Sequence, residues 1–187
     1  YDGKNWSERE VSVQAGEKGP HGNAYPCISP AIIRQENYQM WYVVNANQHY
    51  LVYYATSKNG IQWENSVQCQ LKGYEVNPWH IDCQYYDDKY YILAYDFSQK
   101  LTLWSSEDGI IFNFEKIILK ASHRIGDFYR TSLYRSCMLR DGENYKVYFS
   151  AGNERKVKIG LMRGKELHDL SVCNASKNLS MKDFIFD

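Results

Sequence analysis

The sequence lacks both an excess of charge and any long apolar run. Its 187 residues contain 22 Lys and Arg against 22 Asp and Glu, which gives a formal net charge of zero. A neutral chain carries no electrostatic footprint for nucleic acid or for an anionic membrane surface, so we predict neither as a partner. No apolar run approaches the ~20 residues that span a bilayer. The pattern therefore indicates a protein that folds in water.

Cysteine pairs and helical periodicity are also missing. The five cysteines are odd in number and none forms a C-x-x-C pair, so we predict no metal and no cofactor. We expect these thiols to be buried small apolar groups, and an odd count favours a reducing compartment such as the cytoplasm. Secretion stays an alternative, because the chain begins with Tyr inside a motif. No long segment has apolar residues at helical spacing, so little helix is expected.

What the sequence has instead is a recurring motif, Asp/Asn-Gly-x-x-aromatic. Copies stand at residues 2–6, 59–63 and 108–112, and a degenerate copy stands at 163–167. Asp/Asn-Gly tolerates the positive φ of a tight hairpin, and the aromatic residue is expected to pack inward. A turn and aromatic signature that returns roughly every 50 residues is typical of stacked β units, with the β-propeller as the leading case.

Four strands are predicted for each unit. An alternating strand pair rich in aromatic residues precedes each motif copy, another strand precedes that pair, and a last strand follows the motif, as at residues 67–71. We predict an all-β fold, a single partial β-propeller domain over residues 1–187. Its four-stranded antiparallel blades lie at about 21–72, 79–120 and 132–173, after the outer strand of a preceding blade at 1–14. The alternative is a β-sandwich with accidental similarity between hairpins.

The predicted blades are too few to close a ring. A closed propeller needs at least four blades, and the sequence accounts for three and an outer strand. Open sheet edges are liable to pair with other chains and must be covered. We therefore expect missing blades or a partner chain over the open edges.

The inner strands of a propeller line its central axis, and their first residues converge at one mouth of the tunnel. Alignment of the units places Ser29, Asp82 and Ser136 at the equivalent position, of which Asp82 alone is acidic. Aromatic, imidazole and guanidinium side chains flank this position and are suited to bind a polar ligand. The candidate substrate-binding residues are Trp79, His80, Arg135, Ser29, Tyr134 and His21.

The blade pattern resembles the five-bladed β-propeller glycosidase superfamily, which includes arabinanase/β-xylosidase-like, invertase-like and mannoside-phosphorylase-like enzymes. Residues 57–63 and 106–112, of the form Ser-x-Asp/Asn-Gly-x-x-Trp/Phe, carry the resemblance best. The resemblance implies an aspartate base or nucleophile, a glutamate acid, and often a second aspartate that tunes the acid. Asp82 matches the catalytic aspartate, whereas serines stand where the glutamate is expected. The second carboxylate would lie on absent blades or on a loop, with Asp127 as the candidate and Glu75 as a weaker one.

Each candidate also has a structural interpretation. Asp82 either takes part in catalysis or pairs structurally with Arg135. An aspartate beside a guanidinium is expected to stay ionised, which suits a base, a nucleophile or a charge-tuning role. His80 either binds sugar hydroxyls or orients Asp82, since alternate residues of a strand share a face, whereas His-x-Asp alone is a poor metal ligand set. Trp79 either stacks on a sugar or packs in the core, and Arg135 either binds an acidic sugar or neutralises Asp82.

The predicted function is a glycoside hydrolase that acts on an oligo- or polysaccharide, its carbohydrate ligand, in a central funnel. Two alternatives stay open. A non-catalytic carbohydrate-binding or scaffold propeller fits the sparse acidic residues, and a glycoside phosphorylase or transferase would use the same funnel. A basic cluster in the funnel would favour the phosphorylase, and its candidates are Arg34, Arg124, Arg130 and Arg135.

Overall fold

The computed structural model describes residues 27–46, 48–125, 127–153 and 156–173. These ranges contain thirteen strands and no helix, and hence no helix long and apolar enough to cross a membrane. His21, the predicted outer strand at 1–14 and the first motif copy at 2–6 lie outside the described residues. The expectations for those segments stay predictions.

The strands form three sheets in chain order. The first sheet has the order β1-β2-β3-β4, all antiparallel, and consists of β1 (Cys27–Arg34), β2 (Tyr38–Ala46), β3 (His49–Ser57) and β4 (Glu64–Gln68). The second has the order β5-β9-β8-β7-β6 and consists of β5 (Gln70–Lys72), β6 (Pro78–Tyr86), β7 (Lys89–Asp96), β8 (Lys100–Ser106) and β9 (Ile111–Lys120). The third has the order β10-β11-β12-β13 and consists of β10 (Ser132–Asp141), β11 (Asn144–Asn153), β12 (Lys156–Gly164) and β13 (Ser171–Val172).

The middle sheet is covered on both faces, because its residues alternate between two cores. On β7, Ile92 and Ala94 belong to the core shared with the first sheet, whereas Leu93 and Tyr95 belong to the core shared with the third. Successive side chains of a strand point to opposite faces, so a strand covered on both sides needs a continuous apolar run. The sheets therefore stack face to face, as neighbouring blades do.

The two motif turns, between β3 and β4 and between β8 and β9, make the same hydrogen bonds. In the second turn the Asp108 carboxylate accepts from the N–H groups of Ile110 and Ile111, each at 2.8 Å. The Ser106 hydroxyl accepts from the N–H of Gly109 at 2.9 Å. Both motif glycines have positive φ, 75° and 73°, the region in which glycine meets no steric cost. The equivalent bonds of the first turn are made by Ser57, Asn59, Gly60, Ile61 and Gln62.

The prediction of one strand at residues 67–71 is wrong. The N–H of Cys69 donates to the Val52 carbonyl of the first sheet at 2.8 Å, whereas the N–H of Gln70 donates to the Ile110 carbonyl of the second at 2.9 Å. The chain then continues as β5, which pairs in parallel with β9. At this point the Cys69 side chain is buried in the core between the two sheets.

The degenerate motif copy at 163–167 is out of register with the other copies. In the first sheet Tyr38 pairs with the motif residue Ser57, whereas in the third sheet the corresponding Tyr145 pairs with Gly164. Gly164 therefore takes the place of the motif serine and not of the motif glycine. A Cβ on Gly164 would lie 2.2 Å from the Asp169 carbonyl oxygen, so a close backbone approach explains this glycine.

Candidate functional site

Each inner strand carries a one-residue bulge near its start. The pairing register shifts between Ile28 and Ala31 in β1, between Pro78 and His80 in β6, and between Leu133 and Ser136 in β10. A bulge leaves a residue out of the ladder and re-aims its side chain, and bulges are frequent beside active sites. Four of the predicted binding residues lie in these bulges, namely Ser29, Trp79, Tyr134 and Arg135.

His80 is the buried polar residue of the site. Its side chain is only 4% exposed, and Nδ1 lies 3.3 Å from the Ser29 hydroxyl oxygen. The same oxygen accepts from the N–H of Ile81 at 3.1 Å. Burial, and after it the positive charge of Arg135, lowers the pKa of His80 to about 4. The imidazole is therefore neutral at pH 7, and its Nε2 has no hydrogen-bond partner among the described residues.

Aromatic rings surround this imidazole. Trp79 stacks on His80 with ring centroids 4.8 Å apart, and Tyr134 meets His80 edge-on at 4.6 Å. Phe97 stacks on Trp79 at 4.8 Å and contacts Tyr50 at 5.6 Å. Phe97 and Tyr134 are 50% and 42% exposed. The rings of Tyr50, Trp79, Phe97 and Tyr134, here named the aromatic cluster, therefore present open ring surface to solvent.

Asp82 lies two residues beyond His80 on β6, and its surroundings differ from those predicted. Its Oδ2 accepts a hydrogen bond from the N–H of Met138 at 2.7 Å. Burial raises the pKa of Asp82 to about 6, against the lowering effect of hydrogen bonds from Met138, Gln84 and Cys83. With a pKa of about 6 the carboxyl is still mainly ionised at pH 7, but the expected cause is wrong, because the charge of Arg135 acts on His80 and is not among the groups that shift the pKa of Asp82.

The three equivalent inner-strand residues do not meet one another directly. Ser29 reaches the second sheet at His80 and Ile81, whereas Asp82 reaches the third sheet at Met138. No hydrogen bond among the described residues joins Ser29, Asp82 and Ser136. His80 binds Ser29 rather than Asp82, so the structure gives it no role in orienting that carboxyl. Convergence of the three residues on one axis stays a prediction.

The two candidates for a second carboxylate lie apart from these contacts. Asp127 belongs to the connection between β9 and β10, where its N–H donates to the Arg124 carbonyl at 3.3 Å. The neighbouring Phe128 stacks on Phe149 of β11 at 5.8 Å. Glu75 is exposed in the connection between β5 and β6. Within the described ranges, no hydrogen bond or ion pair joins either carboxyl to Asp82, and their catalytic roles stay predictions.

One surface cavity lies beside the site, and a larger one lies elsewhere. Arg135 and Ser136 also line a cavity of about 240 Å³ on the third sheet, together with Tyr148 and Ser150. A larger cavity of about 390 Å³ is lined by the second motif turn and Glu115. In the part of the chain that the structure describes, no three His, Cys, Asp or Glu side chains come together as a group able to hold a metal ion.

Sequence reasoning missed Phe97 and Tyr50. Both occupy the end of their sheet where the inner strands begin, Phe97 in the turn after β7 and Tyr50 near the start of β3. The strand order predicted by the sequence could have identified both residues. A hairpin between the second and third strands of an antiparallel sheet lies at the same end as the start of the first strand.

No protein-family model matches the chain, and no curated protein matches it. Solved structures do. An N-acetylgalactosamine deacetylase from F. plautii, in complex with blood group B trisaccharide, shares 20% identity over 87% of this chain and 58% of its own, with a TM-score of 0.64. A family 117 glycoside hydrolase from Zobellia galactanivorans shares 13% identity over 80% of this chain and 55% of its own, with a TM-score of 0.63. A GH32 beta-fructofuranosidase from Bombyx mori, in complex with sucrose, shares 13% identity over 78% of this chain and 34% of its own, with a TM-score of 0.61.

These similarities establish the fold. The described part of the chain is all-β and has the architecture of part of a β-propeller, as in the glycosidases to which the sequence showed a resemblance, and both predictions are confirmed at the level of the fold. The chain spans 58% or less of the three structures named above. The blade boundaries, the single domain, and the missing blades or partner chain stay predictions.

Proposed function

We propose that the protein acts on carbohydrate as a glycoside hydrolase and binds its oligo- or polysaccharide substrate at the aromatic cluster. The observation that carries this proposal is the pairing of open aromatic surface with a buried, neutral imidazole, whose Nε2 has no hydrogen-bond partner in the described ranges. A sugar ring has an apolar face that packs on aromatic rings, and hydroxyl groups that need hydrogen-bond partners. Two of the similar structures hold an oligosaccharide or sucrose, which supports the same ligand class here.

Asp82 is the residue proposed for proton transfer. Glycoside hydrolysis needs two carboxyl groups, of which the acid has a raised pKa so that it is protonated when it meets the glycosidic oxygen. A pKa of about 6 suits Asp82 to this proton-donor role better than to the base or nucleophile role expected from the sequence. The second carboxyl would come from Asp127 or from residues outside the described ranges.

A non-catalytic carbohydrate-binding protein is the second candidate. It is favoured by the hydrogen bond between the Met138 N–H and the Asp82 carboxyl, which gives Asp82 a structural role. The phosphorylase alternative has less support, because Arg34 lies at the far end of β1 from Ser29 and stacks over Tyr38 at 5.2 Å. The four arginines of the predicted basic cluster thus do not all belong to one site.

The test is a screen of the full chain against aryl glycosides and oligosaccharides, with binding followed by calorimetry and hydrolysis by product analysis. A hydrolase should bind and cleave a member of the panel, and Asp82→Asn should lower turnover by at least ~10²-fold while binding persists. The matched control is Asp88→Asn, an exposed aspartate in the turn between β6 and β7, which should leave turnover unchanged. Binding without cleavage would establish the binding protein instead, and no binding would refute both.

A further inference from the structure

Arg135 has a fixed backbone and an exposed side chain. Its N–H donates to the Ser150 hydroxyl at 3.1 Å, and its carbonyl accepts from the same hydroxyl at 3.4 Å. The guanidinium lies over the ring of Tyr134, 5.7 Å from its centroid. Since Tyr134 contacts His80 and Trp79, the guanidinium stands at the border of the aromatic cluster.

Within the part of the chain that the structure describes, this guanidinium has no counter-charge, in contrast to other cations of the same sheet. Arg140, also on β10, pairs with Asp87 at 2.8 Å, and Lys146 pairs with Asp141. No ion pair to Arg135 occurs among the described residues. Asp96, opposite Pro78 at the bulge of β6, accepts from the N–H of Ser98 at 2.9 Å. Asp82 accepts from the backbone of Met138. The positive charge at the site is therefore available to a ligand.

The buried Nε2 of His80 is the second, independent indication of a ligand. Buried polar atoms of folded proteins are rarely left without a partner, and this one has none among the described residues. The Ser29 hydroxyl donates to the Ile81 carbonyl at 3.4 Å, so the Nδ1–H of the neutral ring donates to Ser29 and Nε2 is an acceptor. A hydroxyl group of a bound molecule would satisfy it.

The surroundings of Arg135 supply room and hydroxyl groups for a sugar. The cavity of about 240 Å³ that Arg135 lines has an apolar wall, and its hydroxyl groups come from Ser136, Tyr148 and Ser150. Hydroxyl groups both donate and accept, as sugar hydroxyls require. The guanidinium therefore lies between a mainly apolar cavity with a few hydroxyl groups and the aromatic cluster.

We propose that the site recognises an acidic sugar, a uronic acid residue whose carboxylate pairs with Arg135 while its ring packs on the aromatic cluster. The planar guanidinium offers two parallel N–H donors to a carboxylate, and hydrogen bonds between charged groups are about twice as strong as neutral ones. A neutral sugar would leave the guanidinium without a counter-charge. This inference rests on the proposed carbohydrate function and specifies its substrate class.

The experiment compares each acidic oligosaccharide with its own neutral form. Galacturonic and glucuronic acid oligosaccharides and their methyl esters are titrated into the full chain by calorimetry at low and at moderate salt. The acids should bind at least about tenfold more tightly than the esters, which is about 1.4 kcal/mol. Arg135→Gln should abolish that difference and leave the affinity for the esters within about twofold, whereas Arg135→Lys should keep part of it.

Arg140→Gln is the matched control, because it removes an exposed arginine from the same strand without touching the site, and it should leave the preference for the acids intact. Circular dichroism of each variant checks that the fold is retained. Equal binding of acids and esters, or a preference that survives Arg135→Gln, would overturn the inference while the proposed function stands. Failure of every sugar, acidic or neutral, to bind would overturn the proposed function and the inference with it.

Discussion

The backbone N–H of Met138 donates a 2.7 Å hydrogen bond to Oδ2 of Asp82. The bond joins the inner strands of two neighbouring sheets, β10 and β6, at a half-buried carboxyl group. Hydrogen bonds to a carboxylate lower its pKa, yet the effect of burial is larger and raises the pKa of Asp82 to about 6. Asp82 is therefore both a link between sheets and a group that titrates close to neutral pH.

Asp82→Asn should stabilise the protein at pH 8 but not at pH 4. The pKa of Asp82 is higher in the folded chain, about 6, than the ordinary value of 3.8, so ionisation of this group opposes folding. The stability that protonation confers is complete below about pH 4 and is lost as the pH rises through 6. At pH 8 the variant should gain up to about 3 kcal/mol, at about 1.4 kcal/mol per pKa unit. Urea denaturation at both pH values measures the difference.

The asparagine oxygen still accepts from Met138, so the variant tests the charge and not the hydrogen bond. Asp88→Asn serves as the control, and it should change the free energy of unfolding by less than about 0.5 kcal/mol because its side chain is exposed. If Asp82→Asn destabilises the protein equally at both pH values, ionisation of Asp82 does not oppose folding and the cause assigned to its pKa is wrong.

Phe97→Ala should weaken sugar binding by roughly threefold to tenfold, in line with the ~0.5–1.5 kcal/mol of an aromatic contact. Phe97 is half exposed and stacks on Trp79, so the free energy of unfolding should change little. Calorimetry with the sugar identified in the screen measures the affinity. Ile125→Ala, at a side chain that is 90% exposed in the connection before β10, is the control and should leave the affinity unchanged. Unaltered binding by Phe97→Ala would remove Phe97 from the site.

The strands could be predicted from the sequence because their pattern is local. For the third strand of the second unit, alternation of side chains predicted residues 101–105, and β8 spans Lys100–Ser106. The motif serine, Asp/Asn and glycine satisfy one another within a few residues, so the turn chemistry was also readable. The place where the chain leaves the first sheet could not be predicted, because the N–H of Gln70 donates to the carbonyl of Ile110, 40 residues further along the chain.

The composition of the site was predictable to a larger extent than its electrostatics. Three of the predicted residues, Ser29, Trp79 and Tyr134, do contact His80, because alignment of the units identified the start of each inner strand. The state of Asp82 depends on burial and on a backbone N–H that is 56 residues distant in sequence, and no local pattern reports either. The alignment of the units places Arg135 close to Asp82, so its guanidinium was assigned to Asp82, whereas its charge acts on His80.

Asp108→Asn should be tolerated, whereas Asp108→Ala should destabilise the second motif turn. The Asp108 side chain accepts from two backbone N–H groups, and Asn59 makes the equivalent bonds in the first turn. Loss of such a side-chain acceptor costs about 1–2 kcal/mol, whereas the amide oxygen of asparagine replaces it within about 0.5 kcal/mol. Urea denaturation of both variants gives the comparison. Equal destabilisation by the two substitutions would show that the turn requires the negative charge.

Gly109→Ala should destabilise the protein more than Gly142→Ala. Both glycines have positive φ, 73° and 60°, so alanine carries a conformational cost of about 1–2 kcal/mol at either position. A Cβ at Gly109 would also lie 3.0 Å from Cζ2 of Trp41, its tightest contact, and 3.4 Å from the ring of Tyr90, whereas a Cβ at Gly142 meets nothing within 4 Å. The Trp41 Nε1–H donates to the Gly109 carbonyl at 2.7 Å, so the ring cannot move away without loss of a buried hydrogen bond between the first and second sheets.

The extra destabilisation at Gly109 should be about 1–3 kcal/mol, the usual cost of overpacking a buried site. Urea denaturation gives the two free energies of unfolding, and Trp41→Phe provides the matched background, because it removes both the crowding ring edge and the hydrogen bond. In that background the difference between Gly109→Ala and Gly142→Ala should shrink to within about 0.5 kcal/mol. If the difference persists without Trp41, contact between the motif turn and the first sheet is not its cause, and the strain resides in the turn itself.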